Sequence, residues 1–219
     1  CILIIQKKRG AVLKLYRTLT KKPAKINPHL DAFCRTEGLN RGSNSISSLC
    51  SNTGIKIIYI DNLNSTLTPS ILRRYNIEYL INGGGGIFRN EVIDSVGKGI
   101  LNLHIGLLPR FRGMNSLEWS LFHKQKIGIT LHYIDTGIDT GAIINFSEIT
   151  RSLGDSIADL RHKSTPLGLK MLIEFLRSPS KFYDNMEVQD PTMGKQYFIM
   201  HHEIKMIVEA RLRGFKSEM

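Results

Sequence analysis

The chain has 219 residues, which is enough for one sizeable domain with a hydrophobic core and too few for two full domains. Hydrophobic residues make up 42% and charged residues 22%, and no apolar run approaches the roughly 20 residues that span a bilayer, so we expect no membrane-embedded segment. The net charge of +11 suits a protein that meets phosphates, such as nucleotides or RNA, although a diffusely basic surface explains it equally well.

The cysteines are too few and too irregularly spaced for a disulfide framework. There are 3 of them, and none forms a Cys-x-x-Cys or Cys/His array typical of zinc, so we expect no metal. This usage fits a reducing, cytoplasmic location. The chain begins at Cys1 without a cleavable leader, which predicts an incomplete N-terminus.

The first 54 residues carry few clear signals. The β-branched run at residues 2–5 predicts a buried strand, and residues 11–19 predict a helix after it. Residues 21–54 are rich in proline, glycine and serine and show no period, so we expect them to be mostly loop.

Strands and helices alternate from residue 55 onward. The pattern predicts strands at residues 55–60, 77–82 and 100–105, and helices at 68–75 and 90–96. It continues with a helix at 116–123, strands at 127–135 and 142–149, and an amphipathic helix from 156 to about 176. This alternation predicts an α/β fold with a mostly parallel sheet and helices on both faces, extended by the last two strands.

Two polar residues interrupt the apolar strand at residues 100–105. In a strand, residues two apart share a face, so Asn102 and His104 point the same way while Leu101 and Leu103 point to the opposite face. Ligands of open α/β sheets collect at the carboxyl ends of the strands, where this pair lies. The pair predicts a site, although satisfying backbone groups at a strand end is an alternative role.

A glycine-rich turn at residues 135–141 supplies carboxylates. Its sequence, Asp-Thr-Gly-Ile-Asp-Thr-Gly, places Asp139 between two strands where it can point back to the sheet edge. Asp-Thr-Gly also occurs in aspartic proteases, but their paired carboxylates come from separate lobes, whereas both copies here lie in one short turn. We therefore expect a single working carboxylate beside His104.

These motifs together resemble the folate-dependent formyltransferases, which act on methionyl-tRNA, glycinamide ribonucleotide or amino sugars. The resemblance rests on Asn102-Leu103-His104, on residues 107–113 and on Asp135-x-Gly-x-Asp139-Thr-Gly, and it is strongest over residues 77–150. It implies a Rossmann-like formyltransferase fold, 10-formyltetrahydrofolate as the formyl donor, and Asn102, His104 and Asp139 as the catalytic trio.

The expected chemistry suits these residue types. Transfer of a formyl group to an amine develops an oxyanion, which the Asn102 amide and a protonated His104 would stabilise by donating hydrogen bonds. The amine must lose a proton and the leaving nitrogen must gain one, which requires a group that titrates near neutrality. Asp139 would keep His104 protonated or pass protons through a water.

The resemblance also implies a donor-binding surface. The glycine run at residues 83–86 lacks the residues of a phosphate loop or a dinucleotide fingerprint, and in this family the equivalent loop lets backbone approach the pterin. A simple strand-to-helix turn is the alternative. The residues implied to contact the donor are Gly84, Gly85, Gly86, Ile87, Phe88, Leu107, Leu108, Pro109, Asp135 and Gly137.

Three further residues are candidates for binding the acceptor. Arg110 and Arg112 flank Phe111 after a proline and could pair with a phosphate or carboxylate, although solvated surface charges are as good an explanation. Trp119 lies on the following helix and could stack on a substrate ring.

Differences from the family point to the acceptor. The glycine-serine phosphate loop of glycinamide ribonucleotide enzymes is absent after the first strand, and the residues after 149 leave no room for the tRNA-gripping domain of methionyl-tRNA enzymes. We therefore expect a catalytic domain at 1–178 and a short extension at 179–219 that completes or flanks it, with a small nucleotide-linked amino sugar as acceptor.

Other functions remain open. A methionyl-tRNA enzyme, a formyltetrahydrofolate hydrolase and an inactive RNA-binding homologue are alternatives, with tRNA disfavoured as a partner. An oligomer is compatible with the sequence.

Overall fold

The computed structural model describes residues 2–6, 29, 32, 36, 50–51, 53–84 and 86–214. The helix predicted at residues 11–19 lies outside these residues. Within them, none of the helices combines the length and the apolar character that crossing a membrane requires.

The first half of the fold alternates strands and helices, as predicted. Its elements are β1 (Ile2–Gln6), β2 (Lys56–Ile60), α1 (Leu67–Arg74), β3 (Tyr79–Ile81), α2 (Asn90–Ile93) and β4 (Gly99–His104). Strand β3 and helix α2 are shorter than predicted, because β3 begins only at Tyr79 and α2 ends at Ile93.

The second half adds strands on both sides of the site. Its elements are β5 (Phe111–Gly113), α3 (Ser116–Phe122), β6 (Gly128–Ile134), β7 (Ile143–Glu148), α4 (Ile157–Arg177), α5 (Ser180–Tyr183), β8 (Lys195–Tyr197) and α6 (His202–Arg213). Helix α4 begins with a capping box, in which Ser156 accepts from the Asp159 amide while the Asp159 carboxylate accepts from the Ser156 amide.

Parallel and antiparallel pairings are combined in the described sheets. Strands β1 and β2 pair in parallel, as do β3 and β4. Strands β4, β6 and β7 then continue antiparallel, in the order β3-β4-β6-β7. The α/β class with a parallel-containing sheet is confirmed, and the predicted extension by two strands, β6 and β7, is the antiparallel part of that sheet.

Adjacent apolar residues of β4 pack against helices on opposite faces of the sheet. Ile100 packs with Leu72 and Val92 beneath α1 and α2, whereas Leu101 packs with Phe175 of α4 on the other face. Both Ile100 and Leu101 are fully buried. The alternation of side chains along a strand therefore places helices on both faces of the sheet, as the sequence predicts.

The prediction of a loop at residues 21–54 is wrong for the described residues at 29, 32, 36, 50, 51 and 53, which are helical. The Thr36 hydroxyl donates to the carbonyl of Ala32 four residues earlier, as in a helix. Glycine, proline and serine do not forbid helix where tertiary packing supports it, and Cys50 is buried.

The segment after residue 179 packs against the rest of the domain. Strand β8 pairs in parallel with β5, so that Lys195 lies opposite Phe111. Glu187 forms an isolated antiparallel bridge with Ile143, and Val208 of α6 is buried in the same cluster as Leu117 of α3.

A buried carboxylate ties three helices together. Glu118 of α3 is fully buried and binds the Arg161 guanidinium of α4 through both oxygens, at 2.8 and 2.6 Å. Lys205 of α6 adds a contact of 3.3 Å. Burial raises the pKa of Glu118, but the hydrogen bonds and charge of Arg161 outweigh burial and hold that pKa below its ordinary value.

We predict that Glu118→Gln lowers the free energy of unfolding by about 2–3 kcal/mol, because the variant leaves a partly buried guanidinium without its anion. Since the pKa of Glu118 is lowered by folding, the difference from wild type should be full above the ordinary glutamate pKa. It should shrink as the pH falls through the folded-state pKa. Urea unfolding at several pH values measures this.

The matched control is Glu148→Gln, which breaks the exposed pair between Glu148 and Lys126. We expect a cost of no more than about 1 kcal/mol there. Equal costs at the two positions would contradict a special role for the buried cluster.

Candidate active site

The site is built on two neighbouring antiparallel strands. The register of β4 and β6 sets Asn102 opposite His132 and His104 opposite Thr130. Asn102 and His104 share one face of β4, as predicted, and that face meets the polar side chains of β6. The Asn102 amide nitrogen lies 3.0 Å from His132 Nε2.

The turn between β6 and β7 brings in the carboxylate. Asp139 adopts a left-handed conformation, with φ of 53°, and its Oδ2 accepts from the Gly113 amide at 2.8 Å. Asp135 holds the turn by accepting from the Gly137 amide and from the Thr140 hydroxyl, at 3.0 and 2.6 Å. The turn thus points Asp139 back over the sheet edge, as the sequence predicts.

His104 and Asp139 form a buried pair. His104 Nδ1 lies 3.3 Å from Asp139 Oδ2, and His104 Nε2 lies 2.8 Å from the carbonyl oxygen of Phe111. Both neighbours are hydrogen-bond acceptors, so a neutral ring can donate to one of them and an imidazolium can donate to both. Close approach of the chain is required here, since a Cβ at Gly106 would lie 2.7 Å from His104 Nε2.

The environment shifts the pKa values of both groups. Burial lowers the pKa of His104, although the charge of Asp139 and the Phe111 carbonyl oppose that effect. Burial alone would raise the pKa of Asp139, but contacts with His132, with His104 and with the Gly113 amide outweigh burial and hold the pKa below its ordinary value. The pair therefore combines a carboxylate whose pKa is held low with an imidazole whose pKa burial lowers, which favours the neutral form of the ring.

A cleft of about 510 Å³ opens over these residues. Its polar floor comes from the β3, β4 and β6 strand ends and the β6-β7 turn, and its walls are largely apolar. The lining residues are Asn82, Gly86, Ile87, Phe88, Asn102, Gly113, Met114, His132, Ile134, Asp135, Gly137, Ile138, Asp139, Gln196, Tyr197 and Phe198. His104 is not among them, because its ring lies behind Asp139 and is 7% exposed.

The glycine loop forms one edge of the cleft. Gly86 lines it with a φ of 86°, and a Cβ at that position would meet no atom within 4 Å. Ile87 and Phe88 also line the cleft, whereas Gly84 does not, and Gly85 lies outside the described residues. A loop with glycine at this edge leaves room for a flat ligand to approach the backbone.

Other predicted contact residues lie away from the cleft. Leu107, Leu108 and Pro109 do not line it. They form the connection from β4 to β5, where the Leu108 amide donates to the Thr130 hydroxyl at 3.3 Å. Their assignment to the donor stays a prediction.

The three residues predicted for the acceptor also do not line the cleft. Arg110 is exposed and donates to Gln125 at 2.9 Å, and Arg112 donates to the Gly194 carbonyl at 3.4 Å. Trp119 donates to the Phe198 carbonyl at 2.9 Å and stacks on the Tyr197 ring, with centroids 5.1 Å apart. Trp119 thus contacts two residues of the cleft wall, and the assignment of all three residues to the acceptor stays a prediction.

Several cleft residues were not predicted from the sequence. His132 lies within a predicted strand and Asn82 ends another, and neither belongs to a motif that marks a site. Tyr197 and Phe198 approach because β8 pairs with β5, a long-range contact that local pattern does not reveal. Gln189 holds the turn from outside the cleft, since its amide donates to the carbonyls of Asp139 and Gly141, at 3.1 and 2.6 Å.

Among the described residues, no group of three or more His, Cys, Asp or Glu side chains is arranged to hold a metal ion.

Solved structures share this fold. The formyltransferase PseJ from Anoxybacillus kamchatkensis, in complex with UDP-4,6-dideoxy-4-formamido-L-AltNAc and tetrahydrofolate, matches 90% of this chain and 84% of its own, with a TM-score of 0.54 and 20% identity. A sugar N-formyltransferase from Shewanella sp FDAARGOS_354 matches 96% of this chain and 87% of its own, with a TM-score of 0.57 and 17% identity. At these identities the likeness shows the fold.

Sequence comparison gives closer but shorter matches. A methionyl-tRNA formyltransferase from Thermodesulfovibrio yellowstonii is 34% identical over 105 residues, which are 47% of this chain and 34% of that protein. A second, from Halothermothrix orenii, is 28% identical over 138 residues, or 44% of its length. The chain thus spans less than half the length of these relatives.

Residues 68–176, which hold Asn102, His104 and Asp139, match the family described as formyl transferase. The chain therefore belongs, through these residues, to the formyl transferase family.

Proposed function

We propose that this protein transfers a formyl group from 10-formyltetrahydrofolate to an amine. The observation that supports it most is the meeting of Asn102, His104 and Asp139 at one edge of the cleft, with His104 and Asp139 3.3 Å apart. The formyl donor, when bound, supplies an activated formyl group. Residues of the protein bind and orient that donor and transfer the protons.

The cleft fits a flat donor. Gly86 and Gly137 expose backbone to it, and Ile87, Phe88 and Ile138 supply apolar surface. Ile87 is 69% exposed, so a bound ring would cover apolar area that now faces solvent. We assign the pterin end of the donor to this edge; PseJ, which shares the fold, is described in complex with tetrahydrofolate.

Asn102 stabilises the negative charge that develops on the formyl oxygen. It lines the cleft, and one hydrogen of its amide nitrogen is directed to His132. The second hydrogen is available to a ligand, and a donor fixed in advance costs no reorganisation during the reaction.

Asp139 and His104 handle the protons. Asp139 reaches the cleft and stays ionised, so it can accept a proton from the attacking amine directly or through a water. His104 lies behind Asp139 and can give a proton to the carboxylate or take one from it. To donate directly to the formyl oxygen, His104 would first have to release the Phe111 carbonyl.

We propose a nucleotide-linked amino sugar as the acceptor. The C-terminal segment supports this choice, because Tyr197 and Phe198 extend the cleft with aromatic rings that can stack on a sugar or base. The folds of PseJ and of the sugar N-formyltransferase from Shewanella cover 90% and 96% of this chain.

Methionyl-tRNA is the second candidate acceptor, because a methionyl-tRNA formyltransferase is 34% identical to this chain over 105 residues. The hydrolase, the RNA-binding homologue, a cytoplasmic location and an oligomer stay predictions.

A single-turnover assay tests the proposal. We expect the protein to release tetrahydrofolate from 10-formyltetrahydrofolate when an amino sugar linked to UDP or dTDP is present. Release with methionyl-tRNA alone would instead select that acceptor, release in buffer would indicate a hydrolase, and no release under any condition would contradict the proposal.

We predict that His104→Ala slows formyl transfer by about 10³-fold, because the change removes the side chain that orients the Asp139 carboxylate and exchanges protons with it. His123→Ala is the control, since His123 is exposed and stacks on Trp119 away from the cleft. Equal rates for the two variants, both shown to be folded by thermal unfolding, would remove His104 from the mechanism.

Asp139→Asn should lower the pKa of His104 further, because the charge of Asp139 is the strongest effect that opposes burial. At a given pH the imidazole of the variant would then be neutral more often than in wild type. An NMR titration of His104 measures the change. Asp190→Asn, which alters an exposed carboxylate that binds Thr192, should leave the titration unchanged, and a raised pKa in Asp139→Asn would contradict the pairing.

A further inference from the structure

Asn102 lies within a chain of hydrogen bonds that crosses three neighbouring strands. The Gly84 amide donates to Asn82 Oδ1 at 3.1 Å, and Asn82 Nδ2 donates to Asn102 Oδ1 at 3.0 Å. Asn102 Nδ2 then lies 3.0 Å from His132 Nε2, and His132 Nδ1 lies 2.6 Å from the Tyr133 carbonyl oxygen. The chain runs from the glycine loop to β6.

Backbone groups at both ends determine the direction of this chain. A side-chain amide can turn over without changing its shape, so its direction must come from groups that cannot turn. The Gly84 N–H can only donate, which makes Oδ1 the acceptor in Asn82 and directs Nδ2 to Asn102. The Tyr133 carbonyl can only accept, so His132 Nδ1 carries a proton. Both ends impose the same direction on Asn102.

The direction also assigns the protonation of His132. Its Nε2 must accept from Asn102, so His132 is neutral with its proton on Nδ1. Asp139 Oδ1 lies 3.5 Å from the same nitrogen, which is longer than the contact with Asn102. In this state His132 donates no hydrogen bond to Asp139, and the Gly113 amide and His104 remain as the neighbours that can donate to that carboxylate.

Pairing between β3 and β4 determines the position of Asn82. Its backbone amide donates to the Leu101 carbonyl at 2.8 Å, which continues the pairing of β3 with β4 for one more residue. Asn82 therefore lies beside Asn102 on the neighbouring strand, and Asn82, Asn102 and His132 all line the cleft. An apolar residue at 82 would leave the Asn102 amide free to turn.

We propose that Asn82 is a positioning residue for formyl transfer, which holds the Asn102 amide with its nitrogen toward His132 and the cleft. The role in catalysis rests on the proposed function, whereas the hydrogen-bond direction does not. Because Asn82 is itself held by Gly84, the glycine loop and the Asn102 amide are coupled. A ligand that moves the loop would alter the group that stabilises the formyl oxygen.

Asn82→Asp tests the proposal with almost no change of shape. The new carboxylate still accepts from the Gly84 amide but cannot donate to Asn102, so two oxygens would face each other at about 3 Å. We expect the Asn102 amide to turn over and present Oδ1 to His132 Nε2. His132 must then carry a proton on Nε2, and ¹⁵N NMR of histidine-labelled protein detects that proton without any substrate.

The matched control is Asn62→Asp. Asn62 Oδ1 accepts from the Asn64 amide at 2.9 Å, in the same turn geometry that joins Asn82 to Gly84, and Asn62 does not line the cleft. The control makes the same charge change in the same local turn. We expect wild-type NMR signals for His132 and wild-type kinetics.

For Asn82→Asp we expect kcat to fall about 100-fold and KM for 10-formyltetrahydrofolate to stay within about threefold of wild type. The change turns the Asn102 N–H away from the formyl oxygen but removes no binding surface. Thermal unfolding shows whether the variant folds, and Asn82→Ala replaces it if it does not. In Asn82→Ala the NMR signals of His132 should show a mixture of both protonation patterns.

An unchanged His132 spectrum in both Asn82 variants would overturn the proposed direction, whether or not the enzyme is active. A changed spectrum with unchanged kcat would overturn the positioning role. A changed spectrum in a protein that transfers no formyl group under any condition would contradict the proposed function and, with it, the catalytic role of Asn82, but it would confirm the hydrogen-bond chain.

Discussion

The antiparallel pairing of β4 with β6 is the constraint on which the site depends. Its register places His132 opposite Asn102 and brings the turn after β6 back over His104. A shift by one residue would turn every side chain of one strand to the other face, and Leu101, which is fully buried, would lose its core. The hydrophobic cores on both faces of the sheet therefore hold the polar residues in register.

The C-terminal segment completes what the sheet begins. Gln189 fixes the backbone around Asp139, and β8 places Tyr197 and Phe198 along the cleft. Glu118 lies on α3, the helix that follows β5, and its buried carboxylate pairs with Arg161 of α4 and Lys205 of α6. Packing far from the cleft thus determines the position of its aromatic wall.

The charge of the cleft differs from that of the whole chain. The sequence carries a net charge of +11, yet the described residues that line the cleft include Asp135 and Asp139 and neither lysine nor arginine. A positive field attracts anionic ligands from a distance, while carboxylates at the reacting centre suit an amine. Arg110 and Arg112, which the sequence predicts for acceptor binding, do not line the cleft and donate to Gln125 and the Gly194 carbonyl.

Local pattern in the sequence was sufficient for much of the fold and part of the site. Apolar alternation predicts the strands, and the two-residue spacing of Asn102 and His104 predicts their common face, because both depend on the geometry of one strand. The glycine turn at Asp139 is equally local. Tertiary structure alone decided that Asn82 and His132 would flank Asn102 and that Tyr197 would enter the cleft. Those contacts join residues far apart in sequence, and their partners are chosen by strand order, register and packing, none of which a local pattern contains.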